Sequence, residues 1–225
     1  MHGFWGELAG AEQSALRAIG SRSTFREDAV IVAEHDDSDH VVVIWSGLTK
    51  VSSHAGAYRE ALLALRGPGE LIGEMACIGG GTRSATVTVI DPVDALVVDG
   101  GGFARFLRRY PHASTVLEQL LVARLRHSDR WRVSTGTASV AQRVARLLLQ
   151  LDQRYGVPAA TGGTKIAVTL TQHDLAAFVG ASPRAVARVM ESWRQRDIVV
   201  TGRRWVVIRR PSELRRIAGT QQPPA

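Results

Sequence analysis

Along the first twenty residues, apolar side chains fall at Leu8, Ala11, Leu16 and Ile19. That spacing predicts one face of a short amphipathic helix. Then the period changes. AVIVAEH, HVVVIWSG, EALLALRGPGE, SATVTVI and DALVVDG are short β-rich runs separated by Gly, Pro, Asp and Ser. Such runs at regular short intervals predict an all-β sandwich, roll or barrel.

From Pro111 the pattern turns helical, and HASTVLEQLLVARLRHSDRWRVSTG holds no internal Gly or Pro before Gly136. A helix of about 24 residues spans roughly 36 Å. Val116, Leu117, Leu120, Leu121 and Ala123 line one side. They can bury along their own domain or against the same helix of a second subunit, in a coiled-coil-like seam. Towards its end the helix becomes polar at His127, Ser128, Asp129 and Arg130. Gly136, Thr137 and Ser139 then predict a helix stop and a fresh N-cap. The next helix, SVAQRVARLLLQLDQRYG, ends at Gly156, and VPAATGGTK reads as a loop. The domain boundary is expected near residues 136–138.

In VTLTQHDLAAFVGASPRAVARVMESWRQRDIVVTGRRWVVIRR, Thr171 is an N-cap with Asp174 in the capping-box position. Leu175, Phe178 and Val179 form an apolar face. Gly180 breaks the helix where a tight turn needs positive φ. Ser182 caps the next helix, and Pro183 occupies its first position. Val186, Val189, Met190 and Trp193 face inward, and Ala176 is small where the helices cross. This is a helix-turn-helix signature. DIVVTG and RRWVVIRR follow as two strands around Gly202, a basic wing with Arg203 at its tip. Arg184 and Arg188 are four apart, so they share a face. That face points away from the core, towards the groove of a duplex, towards solvent or towards Glu191. Arg to guanine O6/N7 is the commonest specific base contact.

Charge supports the duplex. The formal net charge is +7, and ten arginines crowd residues 184–216, whereas residues 27–41 are rich in Asp and Glu. A basic C-terminal third suits a polyanion. The single cysteine, Cys77, allows no internal disulfide and suits the cytoplasm. No run approaches the ~18 apolar residues of a membrane span, and no signal peptide is evident.

GEMACIGGGTRSATV (residues 73–87) poses a separate question. In a strand expected from Thr82, alternation puts Arg83, Ala85, Val87 and Val89 on one face. A guanidinium on an inward face is costly unless neutralised. Glu74 is one candidate partner and a bound anion the other. Gly73 precedes a one-turn helix over Glu74–Ile78, whose first N–H groups favour negative charge. Gly79, Gly80 and Gly81 let the backbone return close, and Ser84 adds a hydroxyl. Turn N–H groups, an Arg and a Ser suit a phosphate. Glu74 can accept from a sugar hydroxyl. The residues thus point to an anionic, sugar-bearing ligand such as a nucleotide, or to an internal Glu74–Arg83 ion pair without ligand.

Gly73-Glu74-Met75-Ala76, followed by Arg83-Ser84-Ala85, resembles the phosphate-binding cassette of cyclic-nucleotide-binding domains. With the long helix, hinge and winged helix-turn-helix, residues 5–215 resemble the cyclic AMP receptor protein/fumarate–nitrate regulator family of bacterial transcription factors. The resemblance implies an α+β chain: a jelly-roll-like cyclic-nucleotide-binding β-roll (1–110), a long dimerisation helix and hinge (111–136), and a winged helix-turn-helix domain (137–220). It implies that Glu74 accepts from the ribose 2′-OH. Arg83 and Ser84 would hold the cyclic phosphate, aided by the backbone at Met75 and Ala76. Ser128 and Asp129 fall where a Thr-Ser pair contacts the base in cyclic-AMP members. Asp129 departs from that pattern, and its carboxylate could accept from an adenine amino group, accept from guanine N1–H and N2–H, or repel the phosphate. The loop before Arg83 is a residue short.

In the DNA helix, Arg188 matches the family's central guanine-reading Arg. Pro183 and Arg184 replace the preceding Arg and Glu, so the operator is expected to differ. Thr171 and Ser182 match phosphate-contacting positions, and Gln172, beside Thr171, is expected at the DNA. The expected partners are double-stranded DNA, a cyclic nucleotide (cAMP favoured, cGMP the alternative), a second copy of the chain and RNA polymerase. The cyclic nucleotide is an effector, and no cofactor is expected. Cys77 reads as a small buried hydrophobe. Relatives that sense oxygen use an N-terminal cysteine cluster for iron–sulfur, which this chain lacks. The histidines show no zinc spacing. No nucleophile–base pair suggests an enzyme. Two other readings are a regulator of the same fold that needs no nucleotide, and a nucleotide-binding module whose basic domain binds a protein.

Overall fold

The computed structural model describes residues 3–54, 60–160, 162–202 and 205–219, without the side chains of 134 and 135. The chain divides into two compact units, Met1–Ser128 and Asp129–Ala225.

The first unit is organised by two long strands. β3 (Val41–His54) and β6 (Thr86–Val98) pair antiparallel from Val41 opposite Val98 to Ser52 opposite Thr86. Each changes its outer neighbour midway. The first part of β6 takes β2 (Val30–Val32) and its second part β1 (Ser21–Phe25). The first part of β3 takes β5 (Leu71–Ile72) and its second part β4 (Glu60–Arg66). The β3–β6 register shifts between Ile44 and Thr49. Bulges of this kind bend a ladder, and Pro92, which has no N–H to give, lies in the irregular stretch of β6.

The unbroken VVVI of β3 follows from burial on both faces. Val41 and Val43 join Phe4, Leu16, Phe103 and Leu117 under the helices. Val42 and Ile44 join Ile31, Val87, Val89 and Val93 in a second cluster.

Several expectations need correction. The N-terminal segment is two helices, α1 (Phe4–Glu7) and α2 (Gly10–Ile19). Ala11 and Ile19 are exposed, and Glu12 is buried instead. It accepts from the Ala9 N–H at 2.7 Å and lies 2.9 Å from His112 Nδ1, so the apolar pattern missed a polar anchor. SATVTVI and DALVVDG are one strand, β6, which starts at Thr86 rather than Thr82. A further helix, α4 (Gly100–Arg109), precedes Pro111; its opening Gly100–Gly102 hides it from propensity, but Asp99 caps it by accepting from Gly102 N–H at 2.7 Å.

The short helix α3 (Glu74–Gly79) leads into the long helix α5 (Pro111–Gly136) through β6 and α4. On α5, Ala113, Val116 and Leu117 are buried, Leu120 and Leu121 half-buried, and Ala123 is exposed.

The second unit carries α6 (Val140–Tyr155), capped at Ser139, and a four-stranded antiparallel sheet. Its strands are β7 (Gly156–Pro158), β8 (Thr164–Ile166), β9 (Val199–Gly202) and β10 (Trp205–Ile208), in the order β7-β8-β10-β9. The segment expected as a loop is therefore the β7–β8 hairpin. Three-residue strands containing Gly and Pro carry too little pattern to be seen. Helices α7 (Gln172–Val179), α8 (Pro183–Gln195) and α9 (Pro211–Ala218) complete the unit around Leu148, Ala176, Met190 and Leu214.

Candidate functional site

Gly73 caps α3 with φ 84°, left-handed backbone that favours glycine. A Cβ there would lie 2.6 Å from Arg83 Nη1 and 2.7 Å from the His40 carbonyl oxygen. The glycine thus lets Arg83 approach the backbone. At Gly79, Gly80 and Gly81 a Cβ meets no protein atom, and Gly80 and Gly81 adopt positive φ (70° and 85°).

Arg83 is 3% exposed. It precedes β6, so the strand alternation expected for Arg83, Ala85, Val87 and Val89 does not extend to it; Arg83, Val87 and Val89 are nevertheless buried, and Ala85 is half-buried. The loop over residues 33–40 fixes its backbone. Arg83 N–H donates to the Asp36 carbonyl at 2.9 Å, and His35 N–H donates to the Arg83 carbonyl at 2.8 Å. The guanidinium donates from Nε to Ser38 Oγ (3.1 Å), from Nη1 to the Gly73 carbonyl (2.8 Å) and from Nη2 to the His40 carbonyl (2.6 Å). All three acceptors are neutral. Among the described residues Arg83 makes no ion pair. Burial pushes its pKa down, against the pull of Asp36 and Asp39. An arginine stays charged even so. The result is a buried cation with no carboxylate in direct contact. Asp36 acts on it from behind Ser38, whose hydroxyl donates to Asp36 Oδ2 at 3.0 Å, and the missing contact charge is costly unless an anion supplies it.

The internal Glu74–Arg83 pair is absent. Glu74, 3% exposed, is held by Arg124 of α5 instead, with Nη1 2.6 Å from Oε1. Arg124 Nη2 also donates to the Leu71 carbonyl at 2.8 Å. Sequence reasoning missed Arg124, although a signal existed. Ala113, Val116, Leu117, Leu120 and Arg124 fall on one helical stripe, so a cation sits where the next buried residue belongs.

Of the other residues expected in this site, Ala76 is buried, and Met75 and Ser84 are exposed. The Ser84 hydroxyl lies 3.9 Å from the Met75 sulfur. Ser128 and Asp129 are exposed on α5, and Asp129 lies 3.9 Å from Arg132. They fall on either side of the division between the units.

In the second unit, Thr171 caps α7 in a capping box with Asp174. Both of its donors are committed to Asp174 Oδ2, the backbone N–H at 2.9 Å and the hydroxyl at 2.6 Å. Gly180 ends α7 at φ 61°. Ser182 caps α8 by accepting from Ala185 N–H, and Pro183 takes its first position. Gln172, Ser182, Pro183, Arg184 and Arg188 are all exposed. Glu191 is bonded to Arg194 and Gln195, not to either arginine. Arg203, expected at the wing tip, lies outside the described residues. Among the described residues no cluster of His, Cys, Asp or Glu could hold a metal, and no helix is long and apolar enough to cross a membrane.

Residues 22–110 match the cyclic nucleotide-binding domain family, and residues 142–217 match the Crp-like helix-turn-helix domain. The chain is 30% identical to the CRP-like cAMP-activated global transcriptional regulator of Mycobacterium tuberculosis, over 85% of this chain and 86% of the relative. It belongs to the cyclic AMP receptor protein/fumarate–nitrate regulator family. The Cyclic AMP receptor protein of Thermus thermophilus is 28% identical over 94% of both chains. The FixK2 structure from Bradyrhizobium japonicum, at 19% identity, shares the fold with a TM-score of 0.76 over 92% of this chain and all of that one. As a family member the chain carries a cyclic-nucleotide-binding β-rich domain ahead of the helix-turn-helix of a transcription regulator. Gly73, Arg83 and Glu74 lie in the first, and Thr171 to Arg188 in the second.

Proposed function

We propose that the chain is a homodimeric transcription regulator, gated by a cyclic nucleotide that binds over Arg83, and that α8 reads a palindromic duplex. The observation that carries the reading is the buried Arg83 guanidinium, met only by neutral acceptors. A cyclic phosphate supplies the missing negative charge. Ser84, with the backbone at Met75 and Ala76, completes the phosphate cradle, and Glu74 accepts from the ribose 2′-OH. Ser128 and Asp129 meet the base. The Asp129 carboxylate can accept from the adenine amino group or from guanine N1–H and N2–H; the likeness to a cAMP-activated regulator favours cAMP, with cGMP the alternative.

The effector domain is 1–110, the dimerisation helix and hinge 111–136, and the DNA-binding domain 137–220. Val122 and Leu125, 46% and 62% exposed on α5, support a seam with a second copy. On the duplex, Arg188 and Arg184 enter the major groove, and Gln172, Ser182 and Arg203 meet phosphates. The protein works in the cytoplasm and passes its signal to RNA polymerase. For gating, the nucleotide must bind the DNA-competent state more tightly than the other.

Calorimetry of the full chain with cAMP and cGMP tests the reading, alongside DNA binding with and without each. One nucleotide should bind per chain and raise duplex affinity, and Arg83→Leu should abolish both effects. No heat with either nucleotide, together with unchanged duplex affinity, would sink the gated function.

A further inference from the structure

The first two turns of α8 offer a duplex an unusually narrow set of chemical groups. From Ser182 to Met190 the polar side chains are Ser182, Arg184 and Arg188 alone. Val186 and Met190 are buried in the core of the unit. Pro183 has no backbone N–H, and its ring offers only apolar contact. The first carboxylate to follow along α8, Glu191, is occupied by Arg194 and Gln195. Both arginines are exposed, and neither makes an ion pair among the described residues.

Base edges are read by complementary groups. Arg donates two hydrogen bonds to guanine O6 and N7, Asn and Gln bridge adenine N6 and N7, and Asp or Glu accepts from cytosine N4. This face holds two donor forks and no acceptor side chain beyond one hydroxyl. It has no means of selecting cytosine or adenine on the strand it faces. Arg184 and Arg188 lie one helical turn apart, with Cβ atoms about 5–6 Å from each other. Stacked base pairs are about 3.4 Å apart. Two forks on that spacing reach base pairs one or two steps apart.

We infer that Arg184 is a second guanine-reading residue, so that each half-site is specified by two guanines within three consecutive base pairs, one held by Arg184 and one by Arg188. The inference rests on the DNA-binding reading above and deepens it. Arg184 is thus a specificity residue rather than one more phosphate contact. The distinction is physical, because a phosphate contact weakens every sequence alike and releases a counterion, whereas a base contact discriminates.

The test is selection of duplexes from a randomised pool by the full-length chain, run in parallel with cAMP, with cGMP and without nucleotide. Wild type should fix two guanines per half-site. Arg184→Ala should lose preference at one of them only, by roughly 5–150-fold, the equivalent of ~1–3 kcal/mol per bidentate pair. Arg188→Ala should release the other. Arg184→Glu should move the preference at the first position from guanine to cytosine, an effect no folding defect can imitate. The inference is overturned if Arg184→Ala weakens all duplexes equally and flattens the salt dependence by about one counterion, or if wild type fixes a single guanine per half-site. A chain that selects no duplex under any of the three conditions overturns the DNA-binding reading itself, and this inference with it.

Discussion

Arg124 Nη1 lies 2.6 Å from Glu74 Oε1, so the carboxylate at the start of α3, beside the proposed phosphate cradle, is held by the long helix. Both partners are largely withdrawn from water, with side chains 19% and 4% exposed. Removing the arginine alone strands a buried charge. Arg124→Met should destabilise the first unit by about 3–5 kcal/mol, and the double variant Glu74→Gln/Arg124→Met should recover part of that loss. Denaturant unfolding followed by the N-terminal tryptophans checks this. A single-variant loss below ~1 kcal/mol would mean that the pair behaves as a surface salt bridge.

Gly73 controls a different aspect of the cradle. Its φ of 84° is left-handed, and a Cβ would press on Arg83 Nη1 and on the His40 carbonyl. Gly73→Ala should lower stability by roughly 1–2 kcal/mol from backbone strain alone. The guanidinium must also shift, so cyclic-nucleotide affinity should fall by roughly tenfold or more, or about 1.4 kcal/mol. A calorimetric titration that gives wild-type affinity would show that Arg83 tolerates the displacement.

Much of this arrangement is legible in the sequence because it rests on local rules. The caps at Thr171, Ser139 and Ser182, the stop at Gly180 and the continuous α5 follow from residues within one turn of each other. The cradle is half legible. Arg83 stands out as a charge on an apolar face, and Gly73 as the residue before a one-turn helix. What neutralises each charge depends on segments far away in sequence. Ser38 and His40 reach Arg83 from the loop before β3, and Arg124 reaches Glu74 from α5. The same limit explains β1, whose SRSTF carries no strand pattern of its own and is ordered by pairing with β6.

His40 gives the first unit a pH dependence of known sign. Burial pushes its imidazole pKa down, and the nearby charge of Arg83 adds to the effect, while a hydrogen bond with the Ile31 backbone and the carboxylates of Asp39 and Asp36 partly oppose it. The unfolded chain then takes up a proton near the ordinary value of about 6.5 that the folded chain refuses. Stability is therefore full above pH ~6.5 and declines as pH falls below it. His40→Gln leaves the main-chain acceptor for Arg83 in place and should flatten this slope. Denaturant midpoints measured from pH 8 to pH 5.5 decide the matter, and an identical slope in the variant would reject it.

The two N-caps of the helix-turn-helix should separate in their effect on DNA. Each cap is worth about 1 kcal/mol of stability, so Thr171→Ala and Ser182→Ala should lower the unfolding midpoint of the second unit comparably. Their hydroxyl protons differ. That of Thr171 is directed at Asp174 Oδ2, 2.6 Å away, and its backbone N–H is spent on the same oxygen. Ser182 Oγ only accepts, from Ala185 N–H at 3.2 Å, which leaves its proton free for a phosphate oxygen. With folding held intact at low temperature, Ser182→Ala should weaken duplex binding by roughly 5–10-fold, the worth of about 1–1.5 kcal/mol for one such hydrogen bond. Thr171→Ala should weaken it by less. Equal losses of affinity in the two variants would show that Thr171 gives up Asp174 on binding, and a larger loss in Thr171→Ala would overturn the assignment of the free donor to Ser182.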